Sequence, residues 1–291
     1  MMWRGCLGCV VLLAGCVTDD INDIGRMFEA PTPAQAARWA FDQNNPDLRR
    51  EGVVLLATSS FGGGEVYLKL YRDYVENDTD PLVKSAAIIA LARHGTPEDA
   101  LLIAPWAQRR VTDSVTIRWS AVQSLQRLHN SEVVGVLIGV ALDPEEQGEV
   151  RSGACIALGQ YPEDRVAQAL IMSLDAPELA VNVDAAESLH LLTGQRLGLD
   201  LPSWSRWYAK ADEAGDPFTG QLQYHYPTYQ RDKVWWEHAA FWLDESWEPS
   251  LPPVGLRDRT EKRTWEDFDQ ANGEAMMPSS TDAEGNASAH E

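Results

Sequence analysis

Residues 150–158 read VRSGACIAL, and the same pattern returns in LRREGVVLL (48–56), VKSAAIIAL (83–91), IRWSAVQSL (117–125) and VNVDAAESL (181–189). The starting residues Leu48, Val83, Ile117, Val150 and Val181 are 35, 34, 33 and 31 positions apart. Each stretch opens on an aliphatic residue, has a small residue in fifth place (Gly52, Ala87, Ala121, Ala154, Ala185) and closes on leucine. Positions one, five and nine share one helical face, and the small fifth residue lets a neighbouring helix approach closely. The second position is basic in four copies, Arg49, Lys84, Arg118 and Arg151, while Asn182 departs from the pattern.

A second apolar segment follows each copy, as in GEVYLKLYRDYV, PEDALLIAPWA, SEVVGVLIGVAL and PEDRVAQALIMSL. All four begin with a glycine, proline or hydroxyl residue followed closely by a carboxylate, as helix starts do. Pro97 and Pro162 suit a first helical turn, where Glu98, Asp99, Glu163 and Asp164 complement the helix dipole. Each unit is therefore read as a helical hairpin whose apolar faces cannot be buried alone. Stacking completes the core, and the expected fold is all-α: an α-solenoid of about five hairpins.

The residues DLRREGVVLL, DPLVKSAAIIALARHG, DSVTIRWSAVQSL and EVRSGACIALG resemble HEAT repeats, especially the short HEAT-like repeats of phycobilisome lyases. The resemblance covers about residues 45–192. It implies that Arg49, Lys84, Arg118 and Arg151 stabilise contacts between repeats.

The N-terminus, MMWRGCLGCVVLLAGCVTDD, places one basic residue, Arg4, before an apolar run that ends at Gly15 and Cys16. That run is about half the length of a membrane-spanning helix, so it reads as a signal-peptide core. The segment LAGC resembles the bacterial lipobox, which implies that Leu13, Ala14 and Gly15 are recognised by signal peptidase II and that Cys16 becomes the lipidated N-terminus. Val17 stands where an aspartate would favour inner-membrane retention, so an outer membrane facing the periplasm is expected. Cys6 and Cys9 leave with the signal peptide, which leaves Cys155 without a partner for a disulfide or a cysteine-based metal cluster.

Beyond Leu192 the character changes. TGQRLGLDLPSWSRWYAKA presents Trp204, Trp207 and Tyr208 on a short helix, and it resembles the endings of HEAT-repeat proteins of planctomycete-type bacteria. Then QYHYPTYQRDKVWWEHAAFWLDESW (223–247) concentrates Tyr224, Tyr226, Tyr229, Trp235, Trp236, Trp242 and Trp247. The favoured reading is a cap on the last hairpin. A binding platform for glycans built on Trp235, Trp236 and Trp242 is the sharper alternative. The organisation that follows is a lipoprotein signal peptide (1–15), a lipidated cysteine and tether (16–32), the solenoid (33–210), an aromatic extension (211–263) and an acidic disordered tail (264–291).

The chain of 291 residues carries 44 acidic against 24 basic side chains, a net charge of −20 that disfavours nucleic acid. No HExxH, GxSxG, Walker or paired CxxC signature occurs. His94, His129 and His190 fall near the ends of repeat helices, where carbonyl capping is the expected role, and no metal or other cofactor is expected. Cys155 occupies the sixth repeat position, matched by Val53, Ile88, Val122 and Ala186, and is expected to be a packed, inert thiol. The functional expectation is a lipid-anchored envelope scaffold that binds a protein partner along the concave surface of the solenoid, without catalysis. A tetrapyrrole-handling lyase-like protein is the alternative that the lyase-type repeats imply.

Overall fold

A computed structural model describes residues 31–218, 222–229 and 247–256. Eleven α-helices lie among them: α1 (Pro33–Ala40), α2 (Pro46–Thr58), α3 (Glu65–Asn77), α4 (Pro81–His94), α5 (Asp99–Ile103), α6 (Val115–Leu125), α7 (Val134–Leu142), α8 (Gly148–Leu158), α9 (Asp164–Ser173), α10 (Leu179–Thr193) and α11 (Leu201–Ala214). The five repeated stretches are the even-numbered helices α2 to α10.

Local chemistry sets the helix starts. Thr32, Asn45, Asp80, Ser114 and Asp200 each accept a backbone N–H of the first turn. Pro33, Pro46 and Pro81 stand at the first helical position, where no N–H is missed. Pro97 and Pro162 lie just outside the helices, because Glu98 and Glu163 take the N-cap places and the helices begin at Asp99 and Asp164. The stretch expected as one helix after Pro97 is divided. After the five residues of α5 the chain tightens into a 3-10 turn, Ala104–Ala107, around Pro105.

The even-numbered helices stack in an unbroken row, with α1 packed on α2 at one end. Ala87, Ala121, Ala154 and Ala185 are fully buried in that row. Gly52, the first copy of the small position, sits against α1 itself: a Cβ there would lie 2.1 Å from the Ala40 backbone nitrogen. The odd-numbered helices form the second layer, with α3, α7 and α9 each packed on the even helix that follows. The packed hairpin thus joins an odd helix to its successor rather than to its predecessor. The link between α3 and α4 is the short stretch 78–80, whereas α5 joins α6 through the longer stretch 104–114 that includes the 3-10 turn. The hairpins are α1/α2, α3/α4, α5/α6, α7/α8 and α9/α10, with α11 against α9 as a terminal helix. Trp204 of α11 is buried, and the Tyr208 hydroxyl donates to Asp164 Oδ1 at 2.7 Å.

Candidate interaction surface

The second repeat position is internal. Arg118 forms a fork with Glu146 (Nε to Oε2 2.6 Å, Nη2 to Oε1 2.9 Å) and donates through Nη1 to the Thr112 carbonyl at 2.9 Å. Arg49 does the same with Asp78 (2.8 and 3.2 Å) and the Asp42 carbonyl at 3.0 Å. Arg151 pairs with Glu178 at 2.8 Å and reaches the Ala141 carbonyl at 3.2 Å. In each case the guanidinium bridges a carbonyl in the segment before its own helix to an acid just ahead of the next even helix. Before α6 the corresponding acid, Asp113, is exposed. Lys84 accordingly turns to the carbonyls of Val75 (2.5 Å) and Glu76 (3.3 Å), with its ammonium 3.8 Å above the Trp106 ring. Burial lowers the pKa of this ammonium. Asn182, in the last repeat, keeps only the carbonyl half: its amide lies within 3.1 Å of the Ser173, Leu174 and Ala176 oxygens.

Buried polar groups elsewhere also serve the stack. Ser85 and Ser120 hydroxyls meet at 2.5 Å between α4 and α6, and Ser124 and Ser188 donate to the carbonyls of Ile88 and Cys155. Cys155 is fully buried, and burial pushes its thiol up to about 12, so little thiolate forms at neutral pH. His94 bonds the Ala57 carbonyl at 2.7 Å, at the end of α2. His190 bonds the Gln195 backbone carbonyl at 3.0 Å, whereas His129 bonds the side-chain amide oxygen of Gln160 at 3.1 Å. The three histidines sit in different repeats, and no group of three or more His, Cys, Asp or Glu able to hold a metal occurs among the described residues. Gly62 turns the chain between α2 and α3, where a Cβ would meet the Leu56 carbonyl oxygen at 2.1 Å.

One face of the even-helix row is uncovered by any described residue. It is formed by the third and seventh repeat positions, one helical turn apart. Val54, Trp119 and Val183 are 42%, 38% and 47% exposed there, with Ile89 and Ile156 half-buried between them. The hydrogen bonds from Ser85, which is buried, to Ser120 and from Ser152 to Asp184 join third to fourth positions of successive repeats at two of the four junctions along this face. Arg50 is the single basic residue at these ten positions.

A second surface lies at the C-terminal ends of the even helices, and sequence reasoning missed it. Residues 222–229 run back along these ends: Leu222 N–H donates to the Leu191 carbonyl at 2.8 Å, and the Tyr226 and Tyr229 rings stand 4.3 and 4.6 Å from the Arg127 guanidinium carbon. Residues 247–255 pair with this limb through Tyr226 N–H to Leu251 O and Glu248 N–H to Tyr229 O, both 3.1 Å. Their other edge meets the chain after α6, where Val254 N–H donates to Arg127 O and His129 N–H to Val254 O, both 2.8 Å. Glu248 forms an ion pair with Arg93 at 2.7 Å and accepts from Arg127 Nη1 at 2.8 Å. Gly255 closes the segment with φ +91°, and a Cβ there would meet Pro97 Cγ at 2.5 Å. The signal available in the sequence was the eleventh repeat position, arginine at both 93 and 127.

Leu13, Ala14, Gly15 and Cys16, together with Trp235, Trp236 and Trp242, lie outside the described residues.

Residues 103–190 match the family described as HEAT repeats, and the chain contains a HEAT-repeat solenoid. No curated protein matches the chain. Among solved structures, human deoxyhypusine hydroxylase in complex with glycerol is similar at 14% identity, over 59% of this chain and 88% of that chain, with a TM-score of 0.26. Similarity at that level carries no argument about activity.

Proposed function

We propose that this protein is a non-catalytic scaffold that binds a protein partner through the open face of its even-numbered helices, tethered to a bacterial envelope membrane by lipid on Cys16. The observation that carries this reading is that the uncovered face presents one apolar side chain from each of the five repeats, Val54, Ile89, Trp119, Ile156 and Val183, beside polar neighbours such as Gln123 and Glu187. Repeat solenoids use extended surfaces of this kind for partners, and aromatic residues such as Trp119 commonly anchor them. The buried basic and hydroxyl groups are already engaged in holding the stack, which supports binding over chemistry as the role of the chain. The lipobox-like LAGC at 13–16 supports the anchor, and Val17 favours the outer membrane. Acyl chains contribute about 0.8 kcal/mol per buried CH₂, so a lipoprotein's two or three chains hold it firmly.

The test is affinity capture from detergent-solubilised envelopes of the native cell, with the wild-type chain and a Trp119→Asp/Val183→Asp variant. A defined partner recovered by the wild type and lost, at least tenfold, by the variant is expected. Equal recovery by both would remove the face from consideration. Metabolic labelling with an alkynyl fatty acid should mark the wild type and not Cys16→Ser; equal labelling of the two would remove the anchor.

A further inference from the structure

Residues 248–254 are held in the manner of a bound peptide rather than a core element. Leu251 and Val254, the segment's two large apolar side chains, are 49% and 41% exposed, and Trp247 beside it is 54% exposed, so none of the three fills the core. Two side chains are inserted: Pro253, which is buried, and Glu248, whose carboxylate is shared by Arg93 and Arg127. The remaining bonds are main-chain, apart from the Ser250 hydroxyl, which donates to the Tyr226 carbonyl at 3.1 Å. On one side are Tyr226 and Tyr229, and on the other Arg127 and His129, in a parallel pairing centred on Leu128 and Val254. Main-chain pairing for affinity plus a few side-chain pockets for specificity is how an extended ligand strand is recognised. The receptor side is pre-organised. Arg127 is fixed between two tyrosine rings, and Arg93 stands 5.2 Å from the ring of Tyr229, which aligns both guanidinium groups on one carboxylate.

We propose that the slot across the C-terminal ends of α4 and α6 is a recognition site for an extended acidic peptide, and that the chain's own residues 248–254 occupy it in cis. The ligand it fits has a carboxylate side chain five positions before a proline, the spacing of Glu248 and Pro253. A partner bearing such a segment binds by displacing the internal one. Because few apolar side chains are inserted, the exchange leaves the solenoid core intact. This slot is separate from the open helix face and stands whether or not that face binds a partner.

The probe is a fluorescent peptide with the sequence of residues 247–256, WEPSLPPVGL, titrated into the full chain. In wild type the internal segment competes at the high effective concentration of a tethered ligand. Glu248→Lys expels that segment, and affinity for the peptide should rise at least tenfold. Restoring a pair in cis with Arg127→Glu in the Glu248→Lys background should abolish the gain, and a probe with glutamine in place of its glutamate should bind at least tenfold more weakly than the parent. Val254→Pro, which removes the N–H donated to Arg127, opens the slot by a second route and should also strengthen probe binding. Helical circular dichroism should persist in both opened variants. Probe affinity unchanged in both would overturn the proposal, as would loss of the helical signal in both, because the segment would then be part of the core.

Discussion

His129 illustrates how a single side chain in this stack couples stability to pH. Its ring lies 4.7 Å from Tyr161 in a stacked arrangement and bonds Gln160 Oε1. The Gln160 amide nitrogen is committed to the Leu125 carbonyl at 3.0 Å, so its oxygen faces the histidine and Nδ1 is the donor. Burial lowers the pKa of this imidazole below its ordinary 6.5, with the Gln160 bond opposing. The unfolded chain therefore binds a proton that the folded chain resists, and stability falls as pH drops through about 6.5 toward the folded value. Comparing urea unfolding at pH 7 and pH 5, the wild type should lose more stability than His129→Phe, by at most about 1.4 kcal/mol per pH unit. Identical pH dependence would show that His129 titrates as it does in the unfolded chain. The basic residues at position two could be picked out from the sequence, but their partners could not. Asp78, Glu146 and Glu178 lie 27–29 positions away, a separation that only the stacking of helices closes.

At the scale of elements, the arginine forks join one even helix to the approach of the next. Arg118 and Glu146 are the most enclosed pair, with side chains 5% and 1% exposed. Arg118→Met strands the Glu146 carboxylate in the interior and should destabilise the fold by about 3–5 kcal/mol in chemical denaturation. Adding Glu146→Leu removes the orphaned charge and should recover most of that loss, because an apolar pair of similar volume is often neutral or stabilising. A double variant as weak as the single would mean that the fork's link to the Thr112 carbonyl, rather than the charge pair, dominates. The sequence made the period, the helix starts and the solenoid class legible, because small residues, caps and leucines recur in register. It did not reveal that each odd helix packs with its successor. Both pairings share one period, and the difference lies in side-chain fit.

For the whole molecule, nearest-neighbour stacking makes stability local. Gly52 lets α1 lie directly on α2, and a Cβ there would also approach the Ala36 carbonyl oxygen at 2.7 Å. Gly52→Ala should force α1 away at a cost of about 1–3 kcal/mol, the range for overpacking a tight contact. Hydrogen exchange should then accelerate across α1 and α2 while α6 to α10 keep their protection. A uniform increase along the chain would indicate one cooperative unit instead. The sequence by itself determined the repeat, the solenoid and the interior place of Cys155, because these follow from local periodicity and from residue size at fixed positions. Only the tertiary structure decided that Glu248 reaches Arg93 and Arg127, across as many as 155 positions, and that Asn182 keeps the capping half of the arginine role. Such contacts depend on where the stacked helix ends bring distant chain segments together, and no local pattern encodes that.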